Sequence, residues 1–404
     1  MKKAVVLALV LVVAAGATAA AVAQPNRVQR TAAGGPSCNP AGIGFASVLS
    51  GPAAALGIDQ EHWARVFLLY WNGGKPIVGL PKNFKRTKIK FREVGDSQLN
   101  PQVAATIGGQ MVANKQVLAL LGFVGSNETL GGGPVLDRAG MLYISSSATR
   151  DDLGQKLKDF YRVVPANIAQ ATLAVTTLLK NGVIKKGDQA MVVDDAEAYA
   201  ANQADDVQKL LEAAGIKVDR ESQPASTSTA TANFSALANK AVAIHASVVF
   251  SPTQVASDSQ LFTEQLKGAG FHGAFVAADG SFDSTNFKFP GAYLTYFGAD
   301  VNKVAVAKPY LATFTKLYGQ TLGFGPTTFT ALEMMSIAIS KSCADGKTSR
   351  AEVLKDIKSA SISNSILGIP IAFNNAADNN RGPKSGVTLF QIQSDGTYKP
   401  IASS

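Results

Sequence analysis

The feature that most restricts the fold of this chain is a repeated alternation of short apolar runs with longer segments of helical periodicity. Val117–Val124 and Met141–Ile144 are two such runs, and each is flanked by segments with helical spacing of apolar residues. Nearly unbroken apolar runs are typical of strands that are buried on both faces of a parallel sheet. The repeated strand–helix order therefore predicts an α/β protein with doubly wound parallel sheets.

The alternation stops and restarts near residue 163, which predicts two similar lobes rather than one sheet. Three helical patterns at 305–318, 326–340 and 350–359 then follow without strands between them, and we expect them to cover the first lobe. Two strand-like runs, Ile366–Phe373 and Gly386–Ile392, are expected to return to the second lobe. Such a chain crosses between its lobes several times and forms a multi-stranded hinge. The predicted lobes comprise residues 38–162 plus 300–364 and residues 163–299 plus 365–404.

The amino terminus has the composition of a secretory signal peptide. Lys2 and Lys3 precede the apolar stretch Ala4–Val13, and Ala21-Val22-Ala23 offers a small-residue cleavage site before Gln24. This pattern predicts a signal peptide at residues 1–23 and a flexible polar lead-in at residues 24–37. The protein is therefore expected to be exported to the periplasm or the extracellular space. No later stretch reaches about 18 uninterrupted apolar residues, so the mature chain is expected to be soluble.

The two cysteines of the chain, Cys38 and Cys343, are candidates for one disulfide. Exported proteins meet an oxidising environment in which disulfides form and persist, and an even cysteine count favours pairing. The alternative is two unpaired thiols, one of them buried. A lipid on Cys38 is not expected, because the preceding Gly35-Pro36-Ser37 lacks the apolar residue that a lipidation site needs.

Composition and motifs argue against nucleic-acid binding, metal binding and catalysis. The formal charge of +9 is spread thinly, without a run of five basic residues and without interleaved aromatic residues. His62, His245 and His272 lie far apart, and no dinucleotide or phosphate-loop motif is present. No Gly-x-Ser-x-Gly motif occurs either, so a secreted α/β hydrolase stays a remote alternative. We expect a protein that is not an enzyme and that uses no cofactor and no metal.

Hydroxyl side chains follow two of the apolar runs. Ser126 comes after Val117–Val124 at the start of a helical pattern, and Ser145–Ser147 and Thr149 come after Met141–Ile144. In an open α/β sheet, ligands bind beyond the carboxyl ends of the strands, where helix amino termini favour anions. Serine and threonine are also preferred helix caps, so a purely structural role is the alternative.

Several short motifs in these segments and beyond are shared with one family. The sequence resembles the branched-chain amino-acid-binding family of ABC-transporter periplasmic binding proteins, which has the type I periplasmic binding fold. The resemblance covers nearly the whole mature chain in order, and it is the ordered set rather than any single motif that is specific. Its segments are Ala46–Gly57, Gly122–Ser126, Ile144–Thr149, Tyr199, Asn233–Leu237, Gly270-Phe271 and Asp279-Gly280.

The resemblance implies a role for five residues of this chain. Ser126 and Thr149 hold the carboxylate of the ligand, and Ser147 offers its backbone carbonyl to the ammonium group. Tyr199 closes over the ligand from the other lobe, and Asp279 faces the ammonium group. The implied function is capture of an amino acid or a similar small carboxylate by hinge closure. The implied partners are this small ligand and an ABC permease in the membrane, and the protein is expected to act as a monomer.

Three departures from the family pattern leave the ligand open. Ala200 stands where a glycine often follows the tyrosine, and Leu56 stands at a position that is often aromatic. The tyrosine-rich segment of the family is missing around Ser251–Gln254. Aromatic acids, amides and other small solutes therefore remain alternatives to branched-chain amino acids. A ligand-sensing receptor component of the same fold is the alternative function.

Overall fold

The structure is a computed structural model that describes residues 36–227, 229–373 and 386–404. The predicted signal peptide and residues 24–35 of the predicted lead-in lie outside the described residues. Two large sheets and one two-stranded sheet make up the described strands. Within this described part of the chain, no helix combines the length and the apolar composition that crossing a membrane requires.

The first sheet has five parallel strands in the order β2-β1-β3-β4-β5. All residues of β1, β3, β4 and β5 are buried, which explains why these strands have nearly unbroken apolar sequences. The strands are β1 Ala41–Ser47, β2 Ile89–Asp96, β3 Ala119–Leu121, β4 Leu142–Ser145 and β5 Phe160–Arg162.

Helices from two distant parts of the chain cover this sheet. The helix α10 packs on α1 and also contacts β3 and β4, while α9 packs on α1 and α11 packs on α10. The early helices are α1 Ala54–Asn72, α2 Pro101–Ala113, α3 Ser126–Arg138 and α4 Leu153–Lys156. The late helices are α9 Lys308–Tyr318, α10 Pro326–Ser342 and α11 Arg350–Ile357.

The second sheet has seven strands in the order β14-β13-β10-β9-β8-β6-β7. Five of them are parallel, and β13 and β14 add an antiparallel edge that the prediction of purely parallel sheets did not include. The strands are β6 Gln189–Asp194, β7 Lys217–Ser222, β8 Val248–Ser251, β9 Ala274–Ala277, β10 Tyr293–Tyr296, β13 Thr388–Ile392 and β14 Tyr398–Ser403. The helices are α5 Asn167–Lys180, α6 Ala198–Ala213, α7 Ser235–Ala243 and α8 Ala256–Gly268.

The predicted strand Ile366–Phe373 is wrong for most of its length. Only Ile371–Ala372 (β12) pair, and their partner is Ser361–Ile362 (β11) in a separate two-stranded sheet. The reason is a turn, in which the Ser365 hydroxyl donates to the Ile369 carbonyl at 2.7 Å. The Phe373 ring lies 5.1 Å from the Tyr161 ring of β5, so this segment packs beside the first sheet rather than the second.

The described chain crosses between the two sheets in the segments 163–166 and 297–307. These crossings, with the sheets and their covering helices, form the α/β two-lobed architecture that the sequence predicted. Cys38 and Cys343 form a disulfide over a sequence separation of 305 residues. This bond joins the segment before β1 to the carboxyl end of α10.

Candidate ligand-binding site

A small cavity of about 20 Å³ lies between the two sheets and is lined by residues from both. Several lining residues follow the carboxyl ends of β1, β3, β4, β8 and β9, where parallel sheets bind their ligands. The lining combines apolar side chains with hydroxyls and one carboxyl. The lining residues are Val48, Ala53, Leu56, Leu99, Val124, Gly125, Ser126, Ser147, Tyr199, Gln254, Asp279, Gly280 and Phe324.

The structure brings four of the five predicted site residues to this cavity: Ser126, Ser147, Tyr199 and Asp279. Thr149 does not line it. The Thr149 side chain is fully buried, and its Oγ1 makes no hydrogen bond within the described residues. Its carbonyl oxygen accepts a hydrogen bond from the Asn167 backbone N–H at 2.8 Å. The hydroxyl-rich strand ends that the sequence singled out therefore lie near the cavity, although the structure keeps one of the five side chains off the cavity wall.

The wall from the first sheet is made of hydroxyl groups held in place by backbone groups. Ser126 is the first residue of α3, and its Oγ accepts a hydrogen bond from the Arg150 backbone N–H at 3.2 Å. The Ser147 hydroxyl donates to the Val124 carbonyl at 2.8 Å and accepts from Gln60 Nε2 at 2.8 Å. These bonds fix both hydroxyl oxygens without bringing any charged side chain to this wall.

The wall from the second sheet carries a buried acid. Asp279 follows β9 and is 3% exposed. Its Oδ1 accepts hydrogen bonds from Gln170 Nε2 at 2.6 Å and from the Tyr199 hydroxyl at 2.9 Å. Burial raises the pKa of Asp279 to about 7, and these two hydrogen bonds oppose the rise. Both partners are neutral, and no cation of the described residues forms an ion pair with this carboxyl.

Tyr199 links this acid to the backbone of the same wall. Besides donating to Asp279, its hydroxyl oxygen accepts a hydrogen bond from the Gly280 N–H at 3.3 Å. Burial and the nearby Asp279 carboxyl raise the pKa of Tyr199 well above its ordinary value, so the phenol stays protonated and keeps donating. Tyr199 therefore orients the carboxyl toward the cavity.

Nine of the thirteen lining residues were not predicted as ligand contacts, and four of them have larger side chains that bear on the shape of the cavity. Leu56, which stands at a position that is often aromatic in the family, lines the cavity with Phe324, which arrives from the loop between α9 and α10. Gln254 follows β8, so the strand-end rule that identified Ser126 could have found it. Leu99 follows β2 and could have been found in the same way, whereas nothing in the sequence around Phe324 indicates its position.

Direct hydrogen bonds join the two lobes around the cavity. The Arg150 guanidinium donates to the Ala198 carbonyl at 2.8 Å, and the Asp151 backbone N–H donates to Asn202 Oδ1 at 3.0 Å. Gln254 Nε2 donates to the Asn127 side-chain oxygen at 3.3 Å. The structure therefore has its lobes in contact around the cavity.

Comparison with known proteins identifies the family. Residues 40–397 match the family described as periplasmic binding protein. Because this match covers most of the 404 residues, the chain belongs to the periplasmic binding protein family, whose members bind solutes and are not enzymes. The predicted family, fold and absence of enzyme activity are thereby confirmed.

Individual relatives are distant in sequence. A protein of Pseudomonas aeruginosa named amino acid binding protein is 21% identical over 296 residues, covering 71% of this chain and 77% of the relative. A leucine binding protein from Thermotoga maritima matches with a TM-score of 0.76 at 18% identity, covering 89% of this chain and 97% of its own. A fatty acid ABC transporter substrate-binding protein from Thermomonospora curvata matches with the same TM-score of 0.76 at 17% identity, covering 91% and 93%. These likenesses show a shared fold across proteins named for different ligands.

Proposed function

We propose that this protein is the extracytoplasmic solute-binding component of an ABC importer and that its ligand is an amino acid or a similar small zwitterion. The observation that carries the proposal is the Asp279 carboxyl, which lies buried in the cavity wall with only neutral partners. A buried carboxyl is costly to ionise unless a cation pairs with it. The ammonium group of an amino acid would supply that cation.

The opposite wall supports binding of the carboxylate end. The Ser126 hydroxyl lines the cavity at the first turn of α3, where backbone N–H groups and the helix dipole favour a negative charge. Hydrogen bonds to a charged acceptor are roughly twice as strong as neutral ones. In this proposal the backbone carbonyl of Ser147 accepts a hydrogen bond from the ammonium group, whereas the Thr149 side chain, which does not line the cavity, makes no direct contact with the ligand.

The apolar part of the cavity wall suggests what the ligand carries beyond its charged groups. Val48, Leu56, Val124 and Phe324 face the same space as the polar groups. Apolar lining with a few convergent polar groups is typical of small-molecule sites. We infer that the first carbons of the ligand side chain lie against these residues.

Closure of the two lobes is the proposed mechanism of capture. A ligand that contacts Ser126 on one lobe and Asp279 on the other has both sets of contacts only when the lobes meet, so it shifts the population toward the closed form. A membrane permease would recognise that closed form. The predicted signal peptide would bring the protein outside the cytoplasm, where we propose that it acts as a monomer.

A ligand screen by thermal unfolding tests this function. Purified protein is scanned with the twenty amino acids, with aromatic acids and with fatty acids. A ligand present at 100 times its dissociation constant is expected to add about 2.7 kcal/mol to the free energy of unfolding. Binding of fatty acids or aromatic acids without any amino acid would contradict the proposed ligand class, while it would leave the solute-binding role in place.

A further inference from the structure

The cleft between the lobes is divided into two compartments. Besides the inner cavity of about 20 Å³, an outer chamber of about 880 Å³ lies at the cleft mouth and is also lined by both lobes. Leu99 of the first lobe and Gln254 of the second line both compartments. These two side chains are therefore a partition between the inner cavity and the outer chamber.

The partition is assembled over a glycine. A Cβ atom on Gly125 would lie 2.9 Å from Gln254 Oε1 and 3.5 Å from Leu99 Cδ2, so both side chains pack closely over this residue. Gln254 is joined across the cleft by the hydrogen bond from its Nε2 to Asn127, and within its own lobe its backbone N–H donates to Asp195 Oδ2 at 2.9 Å. Among the described residues, Gln254 has one hydrogen bond to the opposite lobe, whereas Leu99 bonds within its own lobe, where its carbonyl accepts from Asn127 Nδ2 at 3.4 Å.

The backbone around the partition is unusual. Leu99 has φ of +56°, its neighbour Gln98 has +54°, and Ala196 across the mouth has +64°. Non-glycine residues rarely adopt this left-handed conformation, and such residues concentrate at ligand clamps and switch regions. Three of them lining one chamber mark its mouth as a place where conformation is tied to function.

The size of the inner cavity requires the partition to move. A volume of about 20 Å³ holds little more than one water molecule. Any amino acid has several heavy atoms, so it needs more space than the closed compartment provides. Displacement of Leu99 and Gln254 would join the inner cavity to the outer chamber without disturbing Ser126 or Asp279.

The charge of the outer chamber indicates what would extend into it. Its lining contains Asp195 and Glu197 but no lysine, arginine or histidine, although the whole chain has a formal charge of +9. The Asp195 carboxyl is occupied by the backbone N–H groups of Glu197 and Gln254. Glu197 is exposed, and its carboxylate forms no ion pair within the described residues. The chamber would therefore attract a cation.

We propose that the ligand is an α-amino acid with a long side chain that ends in a cation, such as lysine or ornithine. Its head group binds between Ser126 and Asp279, its side chain passes between Leu99 and Gln254, and its terminal cation lies in the outer chamber near Glu197. This inference rests on the proposed function and assigns the ligand class of the same site.

Calorimetric binding of four amino acids at pH 7.5 tests the ligand class. Alanine is short, norleucine is long and neutral, lysine is long and cationic, and 2-aminoadipate is long and anionic. We expect lysine to bind most tightly, followed by norleucine, with 2-aminoadipate weakest. Binding of alanine or norleucine that equals or exceeds the binding of lysine would overturn the inference.

Two variants with matched controls test the proposed roles of Leu99 and Glu197. In Leu99→Ala, the ratio of the affinity for lysine to the affinity for alanine should rise about tenfold. The reason is that the lysine side chain then displaces only Gln254 instead of both Leu99 and Gln254. Glu197→Gln should reduce the preference for lysine over norleucine by roughly threefold, the effect of one partly exposed ion pair. The controls Leu69→Ala on α1 and Glu212→Gln on α6 should change neither ratio. Unchanged ratios in both test variants would contradict the proposed path of the side chain.

The two proposals fail in distinguishable ways. If no amino acid binds and other solutes do, the amino-acid function falls, and the assignment of a cationic amino acid falls with it. If amino acids bind and Asp279→Asn abolishes that binding while lysine has no advantage, only the inference about the outer chamber is wrong.

Discussion

The two walls of the inner cavity differ in how their polar groups are satisfied. On the wall from the first sheet, the hydroxyls of Ser126 and Ser147 bond to backbone groups and to Gln60, and no ionisable side chain faces the cavity. On the wall from the second sheet, Asp279 has hydrogen bonds but no charge partner. One wall is complete without a ligand, whereas the other lacks a counter-charge.

For the proposed zwitterionic ligand, this difference indicates how much each of its two charged ends contributes to binding. Neutral donors that are fixed in place supply geometry for a carboxylate at little cost. An uncompensated buried carboxyl makes the folded protein less favourable until a cation arrives, so the ammonium end should contribute more to affinity and should control its pH dependence. The following predictions test this asymmetry.

The largest effect on ligand affinity is expected from a substitution in the wall from the second sheet. Asp279→Asn removes the charge while keeping the shape and an acceptor for Tyr199. We expect the affinity for an amino acid to fall about 100-fold, or about 3 kcal/mol, because the buried ammonium group loses its partner. Calorimetry with the best ligand of the screen measures this, with Asp345→Asn on the exposed surface as the control. A loss below threefold would show that the acid does not face the ammonium group.

A smaller loss of ligand affinity is expected from a substitution in the wall from the first sheet. Ser126→Ala removes one donor to the carboxylate, and the affinity should fall about tenfold, in line with about 1.5 kcal/mol for a hydrogen bond to a charged group. Ser235→Ala is the matched control, because Ser235 is also the first residue of a helix but lies on the exposed surface. A loss that equals the loss in Asp279→Asn would contradict the asymmetry between the walls.

The pH dependence of binding separates the two walls directly. Because the pKa of Asp279 is raised to about 7, this carboxyl is mostly protonated at pH 6 and mostly ionised at pH 8. Affinity for an ammonium-bearing ligand should therefore be roughly tenfold weaker at pH 6 than at pH 8. Titrations at both values should show this change in the Ser126→Ala variant and not in the Asp279→Asn variant. The opposite pattern would assign the titrating group elsewhere.

The smallest effect on ligand binding is expected from the last test, which concerns the stability of the protein without ligand. Burial raises the pKa of Asp279, Glu128 and Asp195 to about 7 in each case. A group whose pKa is raised on folding contributes stability that is complete below its unfolded pKa of about 4 and is lost as the pH rises through the folded pKa. Asp152, whose pKa is lowered to about 2 by Arg150, changes the stability only below about pH 4.

Thermal unfolding between pH 5 and pH 8 measures how the ionisation of these buried carboxyls changes the stability of the protein. We expect the midpoint to fall as the pH rises across this window, because the free energy of unfolding decreases by up to about 2.7 kcal/mol for each buried carboxyl, about two pKa units lying between pH 5 and the folded pKa. The slope should be shallower in Asp279→Asn, which removes one of these groups, and unchanged in Asp345→Asn. A midpoint that rises over the same window would mean that the buried carboxyls have cation partners.

The sequence predicted the buried strands well and the edges poorly. The apolar runs Val117–Val124 and Met141–Ile144 contain β3 and β4, because a strand covered on both faces must be apolar throughout. Four strands were not identified: β7 and β14, which lie at the edges of the second sheet, β10, which lies inside it, and the two-residue β11 of the small sheet. The residues of β14 alternate between exposed and half-buried, and β7 is largely half-buried and rich in charged residues, so neither forms an apolar run.

For the candidate site, the sequence indicated hydroxyl residues that come shortly after a predicted strand as ligand contacts. Ser126 and Ser147 were found in this way, Tyr199 and Asp279 were implied by the family resemblance, and the structure places all four on one cavity. Thr149 belonged to the same pattern, yet its side chain is turned away from the cavity wall. The direction of one side chain in a loop depends on packing that no pattern of residue types records.

The sequence by itself determined the class of fold and the chemistry of each wall, because periodicity and residue type are local properties of the chain. Only the tertiary structure decided that Leu99 and Gln254, 155 positions apart, meet over Gly125 and separate a small inner cavity from an acidic outer chamber. It likewise decided that Asp279 meets Gln170 and Tyr199 rather than a cation. Burial and the choice of partner arise from the packing of two lobes, and they set the pKa and the size limits that determine which ligand can bind.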